Sequence, residues 1–150
     1  MSNDFMEFTY DKFIFRVHGA YLYHPDECWV KRDGDLVIVG VTDFFQKTVG
    51  DAIFIELPEV GTEVTKGDES GTIETIKVNV TLISPISGAI EEVNAGLRDN
   101  PQWVNTDPYD KGWLFKVAPA NWEADRIDLL EAQAYFTRMK EKIHNEMAKK

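Results

Sequence analysis

In the stretch Glu74-Thr75-Ile76-Lys77-Val78-Asn79-Val80 one lysine interrupts an apolar, β-branched run, and no other lysine or arginine lies within ten residues of it. An isolated amine in such a run is either a functional group or a solubilising charge that blunts a strand edge. Pattern alone favours the solubilising charge, so a further signal is needed to single out Lys77. The other candidate groups give less. His18, His24 and His144 are too far apart in sequence for a metal motif, although His24, Asp26 and Cys28 alternate so as to share one strand face. Cys28 is the only cysteine and makes neither an internal disulfide nor a thiolate cage. No histidine is clearly placed as the base that would make it a nucleophile.

Phosphate chemistry is equally unsupported. Lys66-Gly67 is not followed by Ser or Thr, and no Gly-rich segment opens a long helix. The carboxylates have no spacing that marks a general acid and base. Asn79-Val80-Thr81 spells a glycosylation sequon, but without a secretory signal it reads as a chance match. No catalytic or metal residues are expected.

The elements that must position these groups follow from composition and punctuation. With 150 residues, 43% hydrophobic and 12% aromatic, the chain suffices for one globular core. Residues 1–20 read as an N-terminal arm, with Phe5 to Val17 rich enough in aromatic and β-branched residues for an extended arm or edge strand. Residues 21–120 have the cadence of an all-β barrel or sandwich, with strands expected at 29–31, 36–41, 52–57, 71–83, 89–93 and 113–117. Asp33-Gly34 signals a hairpin, and 43–49 a short helix with Thr42 or Asp43 as N-cap and Gly50 closing it. Residues 121–150 are the C-terminal helix and tail. Leu129, Ala132, Phe136, Met139 and Ile143 form one apolar stripe on a helix from about 124 to 150, with Asp125 and Asp128 near its start and Lys149 and Lys150 at its end.

The further signal is a set of segments: Val39-Gly40-Val41-Thr42-Asp43, Val49-Gly50-Asp51, Phe54-Ile55-Glu56-Leu57-Pro58-Glu59-Val60-Gly61, Glu74-Thr75-Ile76-Lys77, Ser84-Pro85-Ile86-Ser87-Gly88 and Gly112-Trp113-Leu114-Phe115-Lys116-Val117. Together they resemble the H proteins of the glycine cleavage system over roughly residues 23–135. The family's lipoylation pattern places Gly sixteen before the modified lysine, Glu three before and Gly eleven after, and Gly61, Glu74 and Gly88 stand at those positions around Lys77. The resemblance implies a mainly β fold, a flattened barrel or sandwich of the lipoyl- and biotinyl-carrier kind, with a short internal helix and a C-terminal helix. It also replaces the long strand at 71–83 with a tight hairpin that carries Lys77 at its tip.

What the resemblance implies chemically is a non-catalytic carrier with lipoate amide-linked to Lys77, swinging between enzymes. Ile76 and Val78 flank the lysine where biotin carriers have methionines, which favours lipoate. The implied partners are a lipoate ligase or lipoyl transferase, dihydrolipoyl dehydrogenase, and either glycine cleavage enzymes or a heterodisulfide-reductase-like complex. Phe44, Phe45 and Phe54 are candidates either for a groove that shelters the arm or for core.

Several departures bear on the cargo. Asp26-Glu27-Cys28-Trp29 stands where the family commonly has Glu-His-Glu-Trp, Phe44 replaces a common His, and Val78-Asn79-Val80-Thr81-Leu82 replaces Ala-Ala-Ser-Asp-Ile. These changes resemble the H-protein-like lipoate-binding proteins of sulfur-oxidising prokaryotes. They put cytoplasmic sulfur oxidation ahead of aminomethyl carriage in glycine cleavage, with an unmodified interaction module as a further alternative.

The formal net charge of −10 argues against a phosphate-backbone binder. Eight acids and two lysines lie between Asp43 and Ile76, against five bases and two acids from Arg138 to Lys150. This asymmetry predicts steering by basic partner surfaces. The absence of a long apolar run and of a signal-like start predicts a cytoplasmic protein that does not span a membrane.

Overall fold

Alternating buried and exposed side chains divide the chain into twelve strands and four α-helices among the residues that the computed structural model describes, 4–148. Phe5–Tyr10 (β1) and Phe13–His18 (β2) form an antiparallel hairpin with Phe8 opposite Phe15. The expected extended arm is thus folded back on itself. Its inner face carries Met6, Phe8, Phe15 and Val17, and its outer face Glu7 and Arg16, which pair at 2.9 Å.

Leu22–His24 (β3), Cys28–Asp33 (β4) and Leu36–Val41 (β5) form a meander, with the Asp33-Gly34 turn where the sequence puts it. Asp43–Val49 (α1) is capped by Thr42, whose hydroxyl accepts the Phe45 N–H at 3.1 Å, and is closed by Gly50. Then come Ala52–Glu56 (β6), Glu63–Val64 (β7), Glu69–Thr75 (β8), Asn79–Ile83 (β9), Gly88–Val93 (β10), Trp103–Thr106 (α2), Phe115–Pro119 (β11), Trp122–Asp125 (α3), Leu130–Glu131 (β12) and Ala132–Ala148 (α4). The segment 71–83 is a hairpin of β8 and β9, as the resemblance implies and the periodicity does not.

A seven-stranded sheet of order β12-β3-β4-β5-β11-β10-β7 packs against a three-stranded sheet of order β6-β8-β9. Val30, Val37, Val39, Val41, Ile55, Ile73, Leu82 and Ile90 fill the space between them. This is the expected mainly β, flattened barrel-sandwich. A second core joins Phe15 and Val17 of β2, Tyr23, Trp29 and Tyr109 of the barrel, and Tyr135, Met139 and Ile143 of α4. There the Tyr23 and Tyr135 rings stack with centroids 4.4 Å apart.

The C-terminal helix starts later than expected, at Ala132. Residues 126–128 form a 3₁₀ turn and Leu130 pairs with Tyr23 on β3, which holds the preceding backbone extended. Its buried stripe is Ala132, Tyr135, Met139 and Ile143, at spacings of three and four. Phe136 is only half-buried and Leu129 lies before the helix. Asp125 is instead buried against the barrel, accepting the Ser87 N–H at 2.8 Å. The expected closing pair Lys149 and Lys150 lies outside the described residues.

Candidate functional site

The β8–β9 hairpin pairs Ile73 with Val80 and Glu74 with Asn79, so the chain must reverse over Thr75–Val78. The buried Thr75 hydroxyl holds that turn. It donates to the Val78 carbonyl at 3.0 Å and accepts the Lys77 and Val78 N–H groups at 3.1 and 3.0 Å, while the Thr75 N–H reaches the Val78 carbonyl at 2.8 Å. A Thr side chain that closes its own turn leaves the following residues free of sheet pairing. Lys77 is accordingly exposed at the tip, between Ile76 at 69% and Val78 at 45% exposure.

Lys77 does not extend freely. Its ammonium donates to the Thr48 carbonyl at 3.2 Å, at the C-terminal turn of α1, where unpaired carbonyls and the helix dipole favour a cation. The aliphatic stem crosses Gly50, where a Cβ would lie 3.4 Å from Lys77 Cδ. The Ile76 N–H reaches the Asp51 carbonyl at 3.2 Å and ties the tip to the same loop.

Beside the tip lies a cavity of about 300 Å³. Phe13 and Phe15 of β2, Phe44 of α1 and Ile143 of α4 give it apolar walls, with Lys47 and Glu146 on its rim and Lys77 at its mouth. Of the three candidate phenylalanines, Phe44 therefore lines the cavity. Phe45 packs on the inter-sheet core, and Phe54 is 52% exposed on β6 and lies outside the cavity. An amine at a solvent-reaching tip, next to a cavity that offers Phe13, Phe15, Phe44 and Ile143 beside the polar Lys47, Thr48 and Glu146, fits an amide-linked arm.

The motif positions are spread along the fold. Glu74 lies exposed on β8, opposite Phe54 on one side and Asn79 on the other. Gly61 has a φ of 92°, in the left-handed region, and its N–H reaches the Ile90 carbonyl at 2.8 Å. At Gly88 a Cβ would sit 2.2 Å from the Ala118 carbonyl oxygen. Both glycines shape β10 and its neighbours in the seven-stranded sheet, away from the hairpin tip.

The departures at 27 and 28 are structural features. Glu27 has a φ of 73° and a buried carboxylate that accepts hydrogen bonds from the Tyr135 hydroxyl, from the Thr42 hydroxyl at 2.7 Å and from the Lys142 ammonium at 2.5 Å. Thr42 also caps α1, so this network joins α4 to the helix that carries Phe44. Cys28 is buried with its thiol against the Ile83 carbonyl, and burial pushes its pKa up to about 12, which removes it as a nucleophile. His24 accepts the Asp26 N–H on Nδ1, and no group of three metal-ligating side chains occurs among the described residues.

Sequence reasoning missed Thr75, Thr48, the contact of Gly50 with the Lys77 stem, and the cavity walls Phe13, Phe15 and Ile143. Thr75 alone had a local signal, a hydroxyl three residues before a turn's end.

A family model described as glycine cleavage H-protein matches residues 21–142. The chain is 46% identical over 105 residues to the glycine cleavage system H protein of Acinetobacter baumannii, covering 65% of this chain and 85% of that one. It is 44% identical over 120 residues to that of Geobacillus thermodenitrificans, covering 79% and 93%. The crystal structure of a glycine cleavage system H protein from Mycobacterium marinum superposes with a TM-score of 0.73 at 36% identity, covering 81% of this chain and 98% of that one. Phe13, Phe15, Ile143 and Glu146 lie outside the matched residues 21–142.

Proposed function

Because the chain belongs to the glycine cleavage H-protein family, whose members carry lipoate covalently on a lysine, we propose that Lys77 is its lipoylation site and that the protein is a carrier without catalysis of its own. The observation that carries this reading is the exposed amine at the tip of a hairpin whose turn is closed by Thr75. Glu74, Gly61 and Gly88 stand at the family's motif spacing around it. When bound, lipoate supplies a dithiolane that accepts electrons or a thiol-linked group.

The chain's own residues do the positioning. Thr75 fixes where the Lys77 backbone leaves the sheet. Thr48 and Gly50 seat the side chain along α1, and the Thr48 carbonyl can take an amide N–H as it takes an ammonium N–H. Phe13, Phe15, Phe44 and Ile143 offer an apolar wall beside the attachment point. Tethering on a hairpin tip turns encounters between enzymes into a local search at high effective concentration.

Service in glycine cleavage is supported by the names of the relatives. A second reading, carriage for a heterodisulfide-reductase-like complex in cytoplasmic sulfur oxidation, draws on one observation: the cavity wall at position 44 is phenylalanine, which offers a protonated amine no hydrogen-bond acceptor. Loading through glycine decarboxylase and the tetrahydrofolate-dependent aminomethyltransferase separates the two, since full activity there defeats the sulfur reading.

Incubation with lipoate, ATP and a lipoate–protein ligase is expected to add one lipoyl mass, mapped to Lys77 by peptide sequencing. A Lys77→Arg protein that gains the same mass would remove the assignment. Failure of both lipoylation and biotinylation by cognate ligases would leave the unmodified interaction module in its place.

A further inference from the structure

Among the described residues no strand or helix packs over the outer face of the three-stranded sheet except at its β6 edge, where Phe54 lines a cavity with Val93, Ala95, Leu97 and Arg98. In its inner row Ile55 and Ile73 pack into the core and Val80 is half-buried, whereas the rows Phe54–Glu74–Asn79 and Glu56–Thr72–Thr81 point outward. On that face Phe54 keeps 52% of its surface exposed, and at the tip Ile76 and Val78 keep 69% and 45%. Strands β6, β8 and β9 contain three glutamates, Glu56, Glu69 and Glu74, all exposed, and no lysine or arginine. Large apolar side chains framed by carboxylates and left bare are the composition of a contact surface, with the aromatic as its anchor.

We propose that this face, centred on Phe54, is the docking platform for the enzyme that acylates Lys77, a partner presenting an apolar socket rimmed by lysine or arginine. The proposal rests on the carrier reading above. The choice of occupant follows from reach. An enzyme that uses the distal end of an arm can work a full arm's length from the hairpin. One that acylates the amine must bring an activated carbonyl carbon to Lys77 Nζ, and so must lie against the residues around the tip. It must also lift Nζ from the Thr48 carbonyl, and contact with Ile76 and Phe54 supplies binding energy for that displacement. In the step served, the neutral Nζ amine attacks the carbonyl of lipoyl adenylate made from lipoate and ATP. The amide C–N bond forms, the acyl–phosphate C–O bond breaks, and AMP and one proton leave.

The test is steady-state loading by a lipoate–protein ligase with lipoate and ATP, read by intact mass, with affinity of the unmodified carrier for the ligase measured separately. Phe54→Ala is expected to raise KM for the carrier about tenfold and weaken binding to match, with kcat held. Glu56→Arg, a second variant on the same face, is expected to weaken binding and flatten its salt dependence. Val60→Ala, which removes an apolar side chain 61% exposed in the turn before β7, is expected to change neither. Circular dichroism confirms that each variant is folded. A Phe54→Ala KM within twofold of the parent overturns the proposal. So does a preloaded Phe54→Ala carrier that dihydrolipoyl dehydrogenase reduces slowly with NADH although its loading is unaffected, since the face would then serve an enzyme that uses the arm. If the parent protein gains no adduct on Lys77, the carrier reading fails, and this proposal with it.

Discussion

Glu27 and Lys142, 115 positions apart in the chain, meet as a carboxylate and an ammonium 2.5 Å apart and clip the last helix onto the barrel. The carboxylate is buried, and its other oxygen accepts from both Tyr135 and Thr42, so removal of the ammonium leaves a charge in a site built to be neutral overall. A fully buried pair broken this way costs about 3–5 kcal/mol. Lys142 keeps 38% of its side-chain exposure, which lets water compensate part of the loss. Lys142→Met is therefore expected to destabilise the fold by about 2 kcal/mol in urea titration. Tyr135→Phe is expected to cost about 1–3 kcal/mol for the lost donor. In a double-mutant cycle the two should be coupled, because both act on one carboxylate; additive costs would contradict the network.

Thr75 is the residue on which the geometry at Lys77 depends. Thr75→Val keeps the shape but leaves the Lys77 and Val78 N–H groups without their acceptor, at a cost of about 1–3 kcal/mol. Thr75→Ser preserves the hydroxyl and should stay near the parent. Amide hydrogen exchange at Lys77 and Val78 is expected to quicken in the valine variant alone, together with slower loading of Lys77. Unchanged exchange would show that the turn is held by its backbone bond.

What was legible in the sequence was what local rules or spacing control. Thr42 and Gly50 mark the ends of α1 and Asp33-Gly34 marks its turn, while the spacing of Gly61, Glu74 and Gly88 underlies the proposal for Lys77. The hairpin at 71–83 was not legible from periodicity, because Glu74 to Val80 alternates through the turn much as a strand would. The start of α4 was misread because Leu130 is drawn into a strand pair with Tyr23, a distant contact that overrides a helical pattern. The cavity walls were hidden for a related reason. Phe13, Phe15 and Ile143 come from both ends of the chain and meet only when the hairpin and α4 pack together.

Histidine titration should make stability depend on pH near neutrality. His18 stacks on Tyr21 with centroids 3.9 Å apart and accepts the Ala20 N–H on Nδ1, and burial lowers its pKa from the ordinary 6.5. His24 is lowered in the same direction, again chiefly by burial. Below 6.5 the unfolded chain therefore binds more protons than the folded one. The contribution is complete above that value and is lost as pH falls through the folded-state pKa values. Melting temperature is expected to drop between pH 7.5 and pH 5.5, and His18→Gln to show a smaller drop. An equal drop in the variant would assign the effect elsewhere.

The cavity beside Lys77 gives the carrier reading a consequence that does not depend on any partner enzyme. An apolar arm that leaves the tip over Gly50 can rest against Phe15, Phe44 and Ile143, out of water and away from small thiols, because burial of apolar surface is favourable by about 25 cal/mol per Å². Phe44→Asp places a carboxylate on that wall, and Phe13→Ser removes the part of it that is already 47% exposed. On the loaded protein, dithiolane reduction by a small phosphine or thiol is expected to run several-fold faster in Phe44→Asp and only slightly faster in Phe13→Ser. The site of attachment itself should be untouched, with the same mass on Lys77 in both variants. Equal reduction rates in all three proteins would mean that the arm stays in solvent and that the aromatic wall serves only to seat the hairpin on α1 and α4.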